Sequence, residues 1–271
     1  MNSQPGQKAR RSVSSDDEGI RVETRERVWD QLRSVARPDS RFAWDFGEFI
    51  ADYEGSSDGA ARILELADRL DCETWLVTPD NNLSPLRERL IKRDYTFLMP
   101  TYGIRRGFLK LDSQTVPAGD EQFAATLDGM TRFGTTVPLE RLETTHSSLD
   151  IMVTGASFVT PSGLRMGKGH GFFDQKWAML REVGLATSET TLVAAVHDVQ
   201  VLEEEAVGEA LVEPHDTIVD YIVTPTRTIR TDADRSRPEG IHWDLLTMAE
   251  VETIPPLKTL WRHAGEPQLE E

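Results

Sequence analysis

The run LVAAV, Leu192 to Val196, is apolar at every position. A strand that leaves one face in water alternates polar and apolar residues, so an unbroken run this short reads as a strand covered on both faces, with helices above and below its sheet. Comparable runs stand in ETWLVTP, YTFLMP, LDIMVTGASFVT and TIVDYIVTPTRTI, and helical spacing fills the intervals. In SSDGAARILELADRL the residues Ile63, Leu64, Leu66, Ala67 and Leu70 share a face, with Ser56 or Ser57 as the cap. SPLRERLIKRD reads as another helix, one more opens at Phe172, and Val22 to Ala36 is a helix that RPDS terminates. Strands alternating with helices predict an α/β fold, a three-layer α/β/α sandwich around a mostly parallel sheet. Within 271 residues no break in composition demands a second globular domain. We expect a polar, disordered tail over 1–20, the α/β domain over 21–243, and an extension over 244–271 whose IPPL segment packs back on the body before a polar end.

Thirty basic residues, only six of them lysine, face 46 acidic ones, for a formal net charge of -16. Such a surface repels nucleic acid and anionic membrane, and halophilic proteins use it to stay soluble in concentrated salt. The expectation is a salt-adapted cytoplasm, or else an ordinary acidic protein, with neither nucleic acid nor membrane as partner. RRGFLKL, Arg105 to Leu111, shares its RGF with an RNA-recognition strand but continues with Leu109 and Lys110, where that motif needs a small residue and further aromatics. The single cysteine, Cys72, rules out an internal disulfide and a cysteine metal cluster, which fits a reducing compartment. No segment of signal-peptide type opens the sequence, and no stretch approaches the ~18 apolar residues of a membrane span.

In so acidic a chain, GLRMGKGHGFFDQKWAML gathers Arg165, Lys168 and His170 into one turn with Gly167, Gly169 and Gly171 at alternate positions. Glycine tolerates the positive φ that lets successive amides point into one concavity. The helix that follows adds free amides and a dipole that favour an anion. The combination predicts a phosphate-bearing ligand, although the same glycines could serve only a tight strand-to-helix turn. It is neither a Walker A sequence nor GxGxxG. Phe173, Trp177 and Leu180 are spaced as a core-facing stripe, and Trp29 and Trp75 read as core. Asp174 either complements the helix dipole or holds magnesium beside the phosphates. His146 and His215 have no partners at metal-ligand spacing. His197 ends a buried strand, where it either faces a ligand or is simply hydrogen-bonded.

GLRMGKGHGFFDQ resembles the GxRxGxGxGYYDR signature of the 5-formyltetrahydrofolate cyclo-ligase family. The likeness continues in VHD, at His197 and Asp198, and in EPHDTIVDYIVTPTRTI with its paired aspartates. RERVWDQL, TPDNNLSPLRERL, LMPTYGIRRGFLKL and RPEGIHW are similar to the family's methenyltetrahydrofolate synthetase domain-containing branch, so the resemblance runs from about Val22 to Trp243. It implies a Rossmann-like sandwich of the CoA-transferase type, and a monomer that uses ATP and magnesium to turn 5-formyltetrahydrofolate into 5,10-methenyltetrahydrofolate. Such chemistry needs positioning and charge stabilisation more than a protein nucleophile.

Residue by residue, the resemblance puts Arg165 to Phe173 around the triphosphate, with Arg165 and Lys168 in the catalytic role. The amides of Gly167, Gly169 and Gly171 join His170, Phe172 and Phe173 in that ATP loop. Arg21 and Arg25, four apart on one helix face, stand where the family has a lysine and an arginine that reach the phosphates. Asp174 and Asp216 fall at its magnesium carboxylates. Glu54 in DYEGSSDGA is the candidate for its folate-side glutamate, and Phe172 also faces the folate. Phe172 and Phe173 replace a tyrosine pair and Gln175 replaces an arginine, which removes two hydroxyls and a charge. Those losses leave open a paralogue that binds nucleotide without cyclising folate, with another folate- or thiamine-related role.

Overall fold

The apolar runs become the middle of one eight-stranded sheet. The computed structural model describes residues 15–139, 141, 148–169, 171–207, 215–232 and 237–270. Its strands are β1 (Trp75–Val77), β2 (Thr96–Pro100), β3 (Phe108–Asp112), β4 (Thr135–Val137), β5 (Ile151–Gly155), β6 (Phe158–Val159), β7 (Arg165–Met166), β8 (Thr191–Ala195), β9 (Tyr221–Val223) and β10 (Thr228–Arg230). Its helices are α1 (Ser15–Leu32), α2 (Ser56–Leu70), α3 (Ser84–Lys92), α4 (Glu121–Ala124), α5 (Leu127–Phe133), α6 (Phe172–Glu182), α7 (Met248–Thr253) and α8 (Pro255–His263). The sheet order is β10-β9-β8-β5-β1-β2-β3-β4, and β6 pairs separately with β7. The strands β9, β8, β5, β1 and β2 run parallel, while β10 at one edge and β3 and β4 at the other pair antiparallel.

Both faces of the sheet are covered, as the unbroken apolar runs require. Leu76, Met152, Leu192 and Ile222 pack on one side with Phe173, Trp177 and Leu180 of α6 and Leu257 and Leu260 of α8. Their neighbours along the strands, Trp75, Val77, Val153 and Val193, pack on the other side with Ile63 and Leu66 of α2 and Leu86 and Leu90 of α3. A leucine or valine on either face gains about 1.5–3 kcal/mol from full burial, so neither face of these strands favours a polar residue. This is the mostly parallel α/β sandwich expected from the alternation. Trp177 keeps its one polar atom satisfied, with Nε1 donating to the Pro238 carbonyl at 2.8 Å. In RRGFLKL, Phe108 and Leu111 are buried in β3 instead of displayed to a partner. Among the described residues no helix is long and apolar enough to cross a membrane.

Three local expectations need correction. Helix α1 begins at Ser15, inside the segment read as a disordered tail, and ends at Leu32 instead of Ala36. The sequence SDDE is a helix-start signal, a serine followed by acids at the positive end of the dipole, which a count of polar residues hides. At the other end the Ala36 amide turns back to the Leu32 carbonyl at 2.8 Å and Ala36 bridges to Tyr53, so the chain leaves the helix before the proline. Helix α2 is capped by Gly55 at φ 78°, with Ser56 already helical.

The order of the parallel strands positions the site. Numbered along the chain they lie second, first, third, fourth, fifth, so the winding reverses between β1 and β5. In open α/β sheets ligands bind at the carboxyl ends of the strands, at such a reversal.

Candidate functional site

Pro79 and Asp80 leave β1 at that point, and Thr154 and Gly155 end β5; all of them line one cleft. The Gly155 amide donates to Asp80 Oδ2 at 2.8 Å, and the Thr78 hydroxyl donates to the same oxygen at 2.5 Å. Beneath them the buried Arg87 of α3 donates to the carbonyls of Thr78 at 2.6 Å and Asp80 at 3.1 Å. The floor of the cleft is therefore held to the strand ends by the side chains of Asp80, Thr78 and Arg87.

The glycine loop forms the facing wall. Gly169 (φ 104°) and Gly171 (φ 60°) take left-handed conformations, whereas Gly167 does not, so the expected alternation of positive φ holds for two of the three. A Cβ on Gly169 would stand 3.2–3.3 Å from the Arg25 guanidinium, which shows α1 packed directly against the loop. Gly171 is the N-cap of α6, and no side chain caps that helix end. His170 lies outside the described residues.

Around this loop the cations converge. Arg165 is buried, pairs with Asp174 at 3.1 Å and lies 4.6 Å over the Phe173 ring. Asp174 Oδ1 also accepts the Thr217 amide at 3.0 Å, which brings Asp216 alongside, and Asp216 pairs with Arg21 at 3.7 Å. Lys168 donates to the Glu48 carbonyl at 2.7 Å and sits 5.0 Å over the Tyr102 ring. Burial holds its ammonium below the usual lysine range, against the pull of Asp80 and Glu48. Lys176, one turn into α6, is more deeply buried. Burial pushes its pKa down to about 8, with Asp80 opposing and Arg165 and Lys168 adding to the shift.

Arg21, Arg25, Arg165, Lys168 and Lys176 thus share the cleft with Asp39, Asp80, Asp174 and Asp216. For a chain of charge -16 this is a local excess of positive charge. The remaining wall is aromatic and flat: Phe42 stacks on Tyr102 at 5.7 Å and 22°, and on Phe49 at 6.3 Å and 24°. A cationic loop opposite stacked rings suits a ligand with both phosphate and a planar ring system.

The sequence profile of the 5-formyltetrahydrofolate cyclo-ligase family matches residues 15–225. The chain belongs to that family. Methenyltetrahydrofolate synthase domain-containing proteins of Mus musculus and Danio rerio are 33% and 30% identical to it over 248 and 251 residues, 90% of this chain in each case. The chain spans 64% and 63% of those relatives' own lengths. A 5-formyltetrahydrofolate cyclo-ligase of Mycolicibacterium smegmatis is 32% identical over 85 residues, 31% of this chain and 38% of that protein. Among solved structures, the 5,10-methenyltetrahydrofolate synthetase of Aquifex aeolicus superposes with a TM-score of 0.45 at 15% identity, covering 82% of this chain and 98% of that one.

Several residues read from the cyclo-ligase signature take other places. Glu54 is exposed at the turn before α2 and does not line the cleft; its neighbour Tyr53 is the side chain that turns inward. His197 caps a short 3-10 turn, its Nδ1 accepting the Val199 amide at 3.3 Å, and its ring meets Tyr53 edge-on at 5.5 Å. Asp198 accepts from the hydroxyls of Thr224 at 2.8 Å and Thr226 at 2.6 Å, joining β8 to the β9–β10 hairpin. Asp220 accepts the Leu192 amide at 2.7 Å, so it too is a structural carboxylate. His215 lines the cleft, and His146 lies outside the described residues.

Other cleft residues escaped the sequence reading. Asp80 had a signal, since it follows an apolar run directly in LVTPD, where a strand presents its carboxyl end. Phe42, Phe49 and Tyr102 had none, because nothing in their spacing shows that two distant loops will stack. Asp174 and Asp216 are hard oxygen donors side by side in the cleft. Such a donor set fits magnesium, which takes one or two carboxylates and completes its shell with water and phosphate oxygens. Among the described residues no larger group of His, Cys, Asp and Glu gathers as an all-protein metal cage.

Proposed function

We propose that the protein is an ATP- and magnesium-dependent 5-formyltetrahydrofolate cyclo-ligase, working as a cytoplasmic monomer with no nucleic-acid or membrane partner. The observation that carries this reading is the single cleft in which the glycine loop and its arginines and lysines face the stacked wall of Phe42, Phe49 and Tyr102. In the proposed reaction the formyl oxygen takes the terminal phosphoryl group of ATP, and ADP leaves. N10 then attacks the activated carbon, and the oxygen departs with phosphate, giving 5,10-methenyltetrahydrofolate.

The loop amides with Arg165, Lys168, Arg21 and Arg25 offset the charge of the transferring phosphoryl group in a site that needs no reorganisation. To do so Arg165 and Arg21 exchange their carboxylate partners for phosphate oxygens. Asp174 and Asp216, released from those pairs, would hold magnesium, which supplies charge neutralisation on the triphosphate. The aromatic wall orients the pterin ring beside the loop. Phe173 supports the Arg165 guanidinium at 4.6 Å, and both Phe172 and Phe173 line the cleft, so both missing hydroxyls are lost from its wall.

The test is spectrophotometric detection of methenyl product from 5-formyltetrahydrofolate, ATP and magnesium, in low and in multimolar potassium chloride. Lys168→Ala and Asp174→Ala should each lower turnover by about 100-fold or more with the fold intact. Full activity in both variants would remove the site assignment. A second reading, nucleotide binding without cyclisation, draws on Gln175, whose buried Oε1 has no hydrogen-bond partner among the described residues and which carries no charge for phosphate. Calorimetric ATP binding with no methenyl product would establish it.

A further inference from the structure

Lys176 makes no hydrogen bond or ion pair with any described residue, although it is only 7% exposed. A largely buried ammonium in this state costs free energy in the ligand-free protein, since much of its hydration is lost and no described protein group replaces it. The side chain lines the cleft from the second turn of α6, on the side of the strand reversal. The charges that face it come from every surrounding element: Asp80 after β1, Arg165 on β7, Lys168 in the glycine loop and Asp174 on its own helix. Of the carboxylates, Asp174 already pairs with Arg165, and Asp80 spends Oδ2 on the Gly155 amide and the Thr78 hydroxyl.

An apolar chamber of about 570 Å³ adjoins the cleft along the glycine loop, sharing Gly169, Gly171 and Phe172 with it and lined further by Ile241, Leu246 and Leu257. A nucleotide laid across the loop with its base on this apolar side would bring its last phosphate toward the charged floor. We propose that Lys176 is a phosphate-binding residue that contacts the terminal phosphoryl group of a nucleoside triphosphate, closing with Lys168 on the inner end of the cleft. This rests on the nucleotide reading of the site and adds to it a residue that distinguishes triphosphate from diphosphate.

The experiment is calorimetric titration of the whole protein with magnesium ATP, magnesium ADP and inorganic tripolyphosphate, for the wild type and Lys176→Met, together with thermal melting of both without ligand. Lys176→Met should weaken ATP and tripolyphosphate binding by about 10- to 100-fold, the loss expected for a charge-assisted hydrogen bond, and leave ADP binding nearly unchanged. Its ligand-free melting temperature should hold or rise, because a buried charge without a partner is replaced by an apolar chain of similar length. Lys176→Gln serves as the second variant if the methionine form is insoluble. An unchanged ratio of ATP to ADP affinity would overturn the role of Lys176 while leaving the nucleotide site standing. A wild type that binds neither ATP nor tripolyphosphate would overturn both. Tight ATP binding that depends on Lys176, with no methenyl product, would keep this assignment and reject the cyclo-ligase.

Discussion

Gly155 donates its backbone amide to Asp80 Oδ2 at 2.8 Å, tying the carboxyl end of β5 to that of β1 where the strand order reverses. A Cβ at Gly155 would lie 2.6 Å from Ile50 Cγ2, 3.0 Å from Asn82 Oδ1 and 3.2 Å from Asp80 Oδ2, so this approach exists only because the side chain is absent. Gly155→Ala should cost about 1–3 kcal/mol by overpacking, read from the urea midpoint. It should also weaken ATP binding, since Ile50 and Asp80 line the cleft. Unchanged stability would show that Ile50 yields freely and that the floor is not held by this contact.

Gly169 and Gly167 make a graded pair. Gly169 sits at φ 104° with the Arg25 guanidinium under it, whereas Gly167 has no positive φ and would meet only one arm of Arg165 at 3.2 Å. Gly169→Ala should lose about 1–3 kcal/mol of stability to backbone strain and bind ATP far more weakly, because the arginine and the loop must both move. Gly167→Ala should be milder on both counts. Parallel calorimetry and melting of the two variants checks the order, and a reversed ranking would mean that the loop adapts around Gly169.

What could be read in advance follows from where each signal resides in the chain. The strands were legible because a residue such as Leu76 or Val77 is apolar whichever face it takes, which leaves an unbroken run in the sequence. The glycine loop was legible because its residues are contiguous. Asp80 and the Phe42, Phe49 and Tyr102 wall were not, since they come from separate segments that only the fold brings together, and Lys176, although it directly follows the loop, reads in the sequence as one more charge on a helix. Glu54 illustrates the converse: one step along an extended segment separates a side chain facing inward, Tyr53, from one facing water.

Cys72 follows the end of α2 and is buried. Burial, then Asp150 and Asp71, push its thiol up to about 11, so little thiolate exists near neutrality. Alkylation by iodoacetamide at neutral pH should be slow in the folded protein and rapid once urea unfolds it, which makes the residue a reporter of opening at that helix end. Alkylation in the folded protein at the rate of a free thiol would show that the turn opens without global unfolding.

Asp150 joins the start of β5 to the segment that enters β1. Its Oδ2 accepts from the Glu73 amide at 2.9 Å, the Thr74 amide at 2.8 Å and the Thr74 hydroxyl at 2.7 Å, while its own amide donates to Thr74 Oγ1 at 2.8 Å. Burial alone would raise its pKa, but the Thr74 side chain and the Thr74 and Glu73 amides together bring it below the ordinary 3.8. A depressed folded pKa means that the unfolded chain takes up the proton first. The stabilisation is therefore complete above pH 3.8 and is lost as pH falls through the lower folded value. Asp150→Asn removes the charge at nearly constant size, so it should be less stable than wild type at neutral pH by about 1–2 kcal/mol. The difference should shrink as wild-type Asp150 itself protonates, which urea midpoints measured down the acid limb would follow. A difference that stays constant to the lowest pH would assign the effect to the shape of the amide and not to the carboxylate's charge.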